Sequence, residues 1–326
     1  MCGITGIYAF NEAGRFHLIN LQKSVDVIAQ RAKKAPEDIL PMLIEMGKKG
    51  LIIHINRNGQ DVFMFSQFVV GIWEYQVNRL TPELIKDFNE YVPHLMKTLE
   101  RTKTQQLRVV PVTKSVTTEL NIMDLEHLEE LIKTQTKILV APCICRREHT
   151  MVDKGCDKIE EACLIFGGGA YIYESRGIGR TITQEEAIEI VKKGVKQGLV
   201  PQPSNSVKPV NICLCCDCCC QILSNIKKTD APAKIVNSNY QATVDQELCT
   251  GCQACEDICP MDAIEMEDDN LVATVNMDRC IGCGLCVTVC EFDAIVLKDK
   301  IETERWEPPQ TIVDTYMNIA REKGLF

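Results

Sequence analysis

Two runs of cysteine stand out by their spacing. Cys249, Cys252, Cys255 and Cys259 follow the pattern C-x2-C-x2-C-x3-C, and Cys280, Cys283, Cys286 and Cys290 repeat it. Ten more cysteines lie upstream: Cys143, Cys145, Cys156 and Cys163, then Cys213, Cys215, Cys216, Cys218, Cys219 and Cys220. Of all 19, only Cys2 falls outside 143–290. Thiols so crowded are badly placed for separate long-loop disulfides but well placed to surround a soft metal. They point to metal–sulfur chemistry in a reducing compartment.

The two runs sit inside an internal repeat, because 242–264 and 273–295 align at a constant offset of 31 residues. Both copies open on Ala-Thr-Val and close on Asp-Ala-Ile, and eight of sixteen positions agree between 249–264 and 280–295. Three thiolates from one tight, glycine-containing loop can cap three irons of a cube, and the fourth iron needs a more distant ligand. With Pro260 after Cys259, the first run resembles the bacterial-type ferredoxin that holds two 4Fe-4S clusters, over about residues 240–297. That resemblance implies two 4Fe-4S clusters with crossed ligands. Cys249, Cys252, Cys255 and Cys290 would surround one, and Cys280, Cys283, Cys286 and Cys259 the other. Glu291 stands where the family usually has proline, which opposes reduction of one cube electrostatically. Zinc sites or a thioredoxin-like pair share C-x-x-C with this pattern but not three cysteines in a row. No C-x-x-C-H occurs, so a covalently attached c-type haem is excluded on motif grounds.

Pro142-Cys143-Ile144-Cys145 and 211–220 each follow an apolar, strand-like run, so their thiols are expected at strand ends. Six cysteines in eight residues are too many for small hydrophobic filler. All ten upstream cysteines are therefore candidate metal ligands, and at least one additional iron–sulfur cluster is expected, with zinc or a thiol relay as the alternative. From an extended strand only alternate side chains share a face, which favours Cys213, Cys215 and one of Cys218, Cys219 and Cys220. The pairing is not that of the heterodisulfide reductase cysteine-rich domain, since Asp217 follows Cys215-Cys216 where that family has glycine. Taken whole, the chain looks like the multi-cysteine iron–sulfur proteins of anaerobes.

Arg146, Arg147, Arg176 and Arg180 flank the first cysteine group and are expected to satisfy carbonyls or acidic neighbours. Neither 167–169 nor 177–179 completes a nucleotide-binding loop. Met1-Cys2-Gly3-Ile4 looks like the start of class II glutamine amidotransferases, but that likeness ends within about eight residues. The five histidines lack paired spacing, and no catalytic residue is assigned.

The expected fold class is α+β in several parts. Residues 1–100 form a winged-helix-like N-terminal domain: a helix at 37–47, a strand at 51–55, a turn at Asn58-Gly59 and a strand at 62–65. Thr81 caps a further helix toward residue 100 that Pro93 should kink or end. Residues 101–235 form a cysteine-rich α/β middle domain. It has strands at 107–112 and 138–141, a helix capped by Asp124, and a Thr183/Glu186 capping box opening a helix that ends near Gly198. Polar 227–239 reads as a linker to the dicluster ferredoxin domain at 236–300. Past Pro308-Pro309, a docking helix within 301–326 carries Ile312, Val313, Tyr316, Ile319 and Ala320 on one side.

Composition supports a globular chain of 326 residues, 45% hydrophobic and 25% charged. Net charge is −9, concentrated in 240–297, where twelve acidic side chains face one basic residue, Arg279. That balance, with only Lys33, Lys34, Lys48, Lys49 and Arg57 near the winged-helix-like part, argues against nucleic acid as a partner. No apolar run is long enough to span a membrane and no signal peptide is visible, so a cytoplasmic protein is expected. The function expected is low-potential electron transfer between two 4Fe-4S cubes and a further cysteine-ligated centre, as a protein or subunit serving a partner oxidoreductase. Two alternatives are a reductase whose middle-domain cluster binds substrate and a redox-sensing winged-helix regulator.

Overall fold

The computed structural model describes residues 22–112, 128–267 and 272–324. Cys2 and the glutamine-amidotransferase-like start lie outside them, as does the cap expected at Asp124. The described residues fall into two compact units, 22–78 with 320–324, and 79–319.

In the first unit, β1 (Lys23–Ser24), α1 (Val25–Ala32), α2 (Pro36–Lys48), β2 (Ile52–Arg57) and β3 (Gln60–Phe65) follow one another, and the antiparallel sheet has the order β1-β3-β2. Asn58 and Gly59 both take positive φ, 50° and 83°, as a two-residue hairpin turn requires, and the Gly59 amide donates to Asn56 Oδ1 at 3.1 Å. Ala29, Ile39, Leu43, Ile52 and Phe63 form its core.

The second unit opens on α3 (Pro82–Leu99), capped by Thr81 Oγ1, which accepts from the Leu84 amide. The helix runs through Pro93 rather than ending there. Proline inside a helix costs about 3 kcal/mol. Burial of Ile85, Phe88, Val92 and Met96 along one stripe on both sides of it offsets that cost.

The segment 107–112 does not form a strand; Leu107 and Arg108 make only isolated bridges to Ser204 and Asn237. Its amides go to three different segments, Arg108 to Pro203 O, Val109 to Asn237 O and Val112 to Cys283 O, and Pro111 has none to give. The chain is thus threaded between neighbours, with Val109, Val110 and Val112 buried.

Next come α4 (Leu128–Lys133), β4 (Ile138–Pro142), α5 (Ile144–Met151), β5 (Glu161–Phe166), α6 (Gly167–Ser175), β6 (Arg180–Ile182), α7 (Gln184–Lys196), β7 (Val200–Pro203) and β8 (Asn211–Cys215). Thr183 caps α7 by accepting from the Glu186 amide, and Gly198 follows the helix at φ 73°. The strands make one sheet in the order β6-β4-β5-β8-β7. Every pair is antiparallel, so the alternation of strand and helix does not build the parallel sheet of an α/β domain. Val140, Leu164, Ile212 and Leu214 of the sheet pack with Leu128, Ile132, Ala187 and Val191 of α4 and α7.

After β8 come α8 (Leu223–Lys227), α9 (Pro232–Ile235), β9 (Tyr240–Val244), α10 (Ala254–Asp257), β10 (Ile264–Met266), β11 (Ala273–Val275), α11 (Leu285–Val289) and β12 (Ile295–Asp299). The 227–239 segment is no free linker. It contains α9, and Asn237 Oδ1 accepts from the Gln105 amide and from Asn205 Nδ2. In the final α12 (Ile312–Glu322), Thr315 donates to the Asn205 carbonyl, whose side chain accepts from Trp306 Nε1 at 2.8 Å.

Candidate metal centres

The two cysteine runs sit on equivalent frames. β9 pairs with β12 and β10 with β11, so the two copies interleave. Each cysteine loop passes twice through left-handed backbone, at Gly251 and Gln253 in the first copy and at Gly282 and Gly284 in the second. These turns curl the loop so that thiols three residues apart converge.

One tight cavity of about 20 Å³ is lined by Cys249, Cys252, Cys255 and Cys290. A second, also of about 20 Å³, is lined by Cys259, Cys280, Cys283 and Cys286. The last cysteine of each run therefore faces the cavity of the other run. The Ala273 amide donates to Cys249 Sγ and the Ala242 amide to Cys280 Sγ, both at 3.4 Å, and the Ala263 amide to Cys259 Sγ at 3.3 Å. Four sulfurs per cavity with backbone donors behind them make a donor set that fits a 4Fe-4S cube.

The two cavities differ in exposure. Cys252 is exposed and the other three thiols of the first set half-buried, whereas Cys280, Cys283 and Cys286 are buried. Burial pushes the Cys283 and Cys286 thiols up, so a metal's positive charge is needed to hold them as thiolates.

Upstream, the ten cysteines divide by position. Cys163 on β5 lies opposite Cys213 on β8. A chain of thiol contacts runs Cys143, Cys145, Cys220, Cys215, Cys213. The hydrogen bond from Cys145 and the charge of Arg146 bring Cys143 down to about 7. Hydrogen bonds from Cys145 and Cys215 hold Cys220 well below the usual thiol range.

The stretch after Cys215 is a turn, not the extended strand expected, which lets neighbouring cysteines face together. Cys216, Cys218 and Cys219 converge there with Cys156 from the loop after α5, their sulfurs all within 4.8 Å of one another.

Arg146 organises this region. Its side chain is buried, donating to Ile159 O at 2.8 Å, to Leu214 O at 3.1 and 3.2 Å, and to Cys216 Sγ at 3.6 Å. Arg147 pairs with Glu160, and Arg180 with Glu161 and Glu186. These three arginines thus satisfy carbonyls and acidic neighbours. Arg146→Lys keeps the charge but cannot reach both carbonyls, and should cost about 2 kcal/mol. Urea unfolding of the full chain checks this; an unmoved midpoint would remove Arg146 as the organiser.

Sequence reasoning missed Lys227, whose ammonium joins Asp217 of the cysteine turn at 3.0 Å to Asp262 beside Cys259 at 2.8 Å. A lysine in an apparent linker gave no signal. A cleft of about 560 Å³ opens there, lined by Cys218, His149, Asp217, Gln221, Lys227 and Asp262 among others.

Residues 248–294 match the family model of the 4Fe-4S dicluster domain. The chain carries a ferredoxin-like dicluster module in its C-terminal region. Searches of curated proteins and of solved structures find no match to the chain. Among the described residues no helix is long and apolar enough to cross a membrane.

Proposed function

We propose that the chain is a low-potential iron–sulfur electron-transfer protein, or the corresponding subunit of an anaerobic cytoplasmic oxidoreductase. The observation that carries this reading is the pair of cavities, each lined by four thiols drawn from both cysteine runs. Cys249, Cys252, Cys255 and Cys290 would hold one cube, and Cys259, Cys280, Cys283 and Cys286 the other. When bound, the cubes supply one-electron transfer without proton chemistry.

The protein's own groups set direction and bias. Amides of Ala242, Ala263 and Ala273 aimed at sulfur favour the reduced state, while exposed Asp245, Glu247, Asp257, Glu291 and Asp293 oppose it. Exposed Leu248 and Phe292 lie near the open cavity among those carboxylates, a surface suited to a redox partner with a basic rim. The buried quartet faces inward, where Val112 donates to Cys283 O and Arg279 to the carbonyls of Lys227, Thr229 and Met261. The inner terminus of the route is assigned to a further iron–sulfur centre on Cys143, Cys145, Cys213, Cys215 and Cys220, with Cys163 beside it.

Iron and acid-labile sulfide on anaerobically purified protein, with EPR of the reduced form, test this reading. About twelve irons support all three centres, and about eight remove the inner one. Iron near zero after reconstitution overturns the proposal. The large cleft beside Cys218 favours one second reading, a reductase that binds substrate there. Substrate-dependent reoxidation without a partner protein would establish it.

A further inference from the structure

We propose that Cys156, Cys216, Cys218 and Cys219 hold a single zinc ion, separate from every iron–sulfur centre. The first ground is spacing. Their four sulfurs lie within 4.8 Å of one another, and among the described residues no other group of three or more His, Cys, Asp or Glu ligand atoms is so close. Around one tetrahedral ion with metal–sulfur bonds of about 2.3 Å, thiolates stand about 3.8 Å apart. A cube spreads its four thiolates over four irons and needs them farther apart. The dicluster module supplies the contrast within this molecule, because its eight cysteines line two cavities without forming such a compact group.

The second ground is the way the chain builds the quartet. The turn after β8 brings Cys216, Cys218 and Cys219 to one side, and the Cys219 amide donates to Cys216 Sγ at 3.3 Å, fixing the curl. Cys156 arrives from 152–160, which has no helix or strand of its own between α5 and β5. Four thiolates around a dication leave two negative charges, and the buried guanidinium of Arg146 meets them at Cys216. All four positions of the tetrahedron are filled by protein, as in a closed structural site, so the ion would clamp an irregular loop onto the cysteine turn. Of the six remaining thiols from Cys143 to Cys220, five run as a chain of contacts instead, and Cys163 lies beside them opposite Cys213. The inner iron–sulfur centre and the zinc therefore do not compete for ligands.

Metal analysis of the full chain, purified without oxygen, tests the assignment. The expected result is one zinc per chain, lost in Cys156→Ser and in Cys218→Ser with iron unchanged. Cys145→Ser should do the reverse, losing iron and keeping zinc. Cys218 is exposed, so its variant remains informative if Cys156→Ser fails to fold. Cobalt exchanged into the site should show thiolate-to-cobalt charge transfer and tetrahedral ligand-field bands, both absent in Cys218→Ser. Loss of iron from Cys156→Ser or Cys218→Ser, or a mononuclear iron in place of zinc, overturns the proposal. Zinc found with iron only in the dicluster module would instead remove the inner centre and leave the zinc site standing.

Discussion

Cys286→Ser should strip about four irons from the chain and unfold much of the second unit with them, whereas Cys252→Ser should lose about four irons of the other cube at little structural cost. The asymmetry follows from burial. Cys286 is 7% exposed and neighbours Leu285, which is fully buried, while Cys252 stands in solvent. An empty quartet leaves the Cys280, Cys283 and Cys286 thiols buried without a metal in a tight cavity of about 20 Å³ among Ala242, Ile264, Ile281 and Leu297. Buried polar groups left without partners cost about 1–3 kcal/mol each. Iron, labile sulfide and calorimetric unfolding of the two variants decide the matter. Equal drops in unfolding temperature would show that burial does not separate the centres, and unchanged iron in either variant would remove that cysteine from the ligand set.

Gly282→Ala is the second large effect. Gly282 has φ 66°, and a Cβ there would sit 2.2 Å from the Tyr240 carbonyl oxygen and 2.8 Å from Ser238 Oγ. The oxygen belongs to backbone at the start of β9, which is held by five residue pairs to β12, so neither side can yield. Strain at positive φ adds about 1 kcal/mol to the overlap. A loss above about 3 kcal/mol is expected, with the Cys280 and Cys283 thiols displaced and iron reduced in the buried centre. Gly168→Ala provides the control, since nothing lies within 4 Å of its Cβ position and alanine suits the opening turn of α6. It should leave stability equal or slightly raised. Similar melting curves for the two variants would contradict the close approach at Tyr240.

The dicluster module was legible because its determinants are local: seven residues carry three thiols, and the repeat announces the partner half. The hairpin at Asn58-Gly59 and the Thr183 cap were legible for the same reason. The division of the upstream cysteines was not. Cys156 meets Cys216 across some sixty residues of sheet and helix, a contact that no spacing encodes. The assumption of extended backbone after Cys215 also hid the turn that brings adjacent thiols together. Pro93 does not end α3 because a local penalty was outweighed by burial along the helix, and 107–112 misled because an apolar β-branched run is as content threaded between segments as paired in a sheet.

The Lys227 bridge has a kinetic meaning. It pins the turn that leads to Cys220 to the loop bearing Cys259, and Arg279 ties the same loop to the carbonyls around α8. Tunnelling probability falls exponentially with gap, so two redox stations on a hinge would transmit only in the fraction of time the hinge is shut. The two stations proposed above, joined through these two cations, would have no such duty cycle. Their exchange would be set by a fixed gap and by reorganisation energy, nearly indifferent to solvent viscosity.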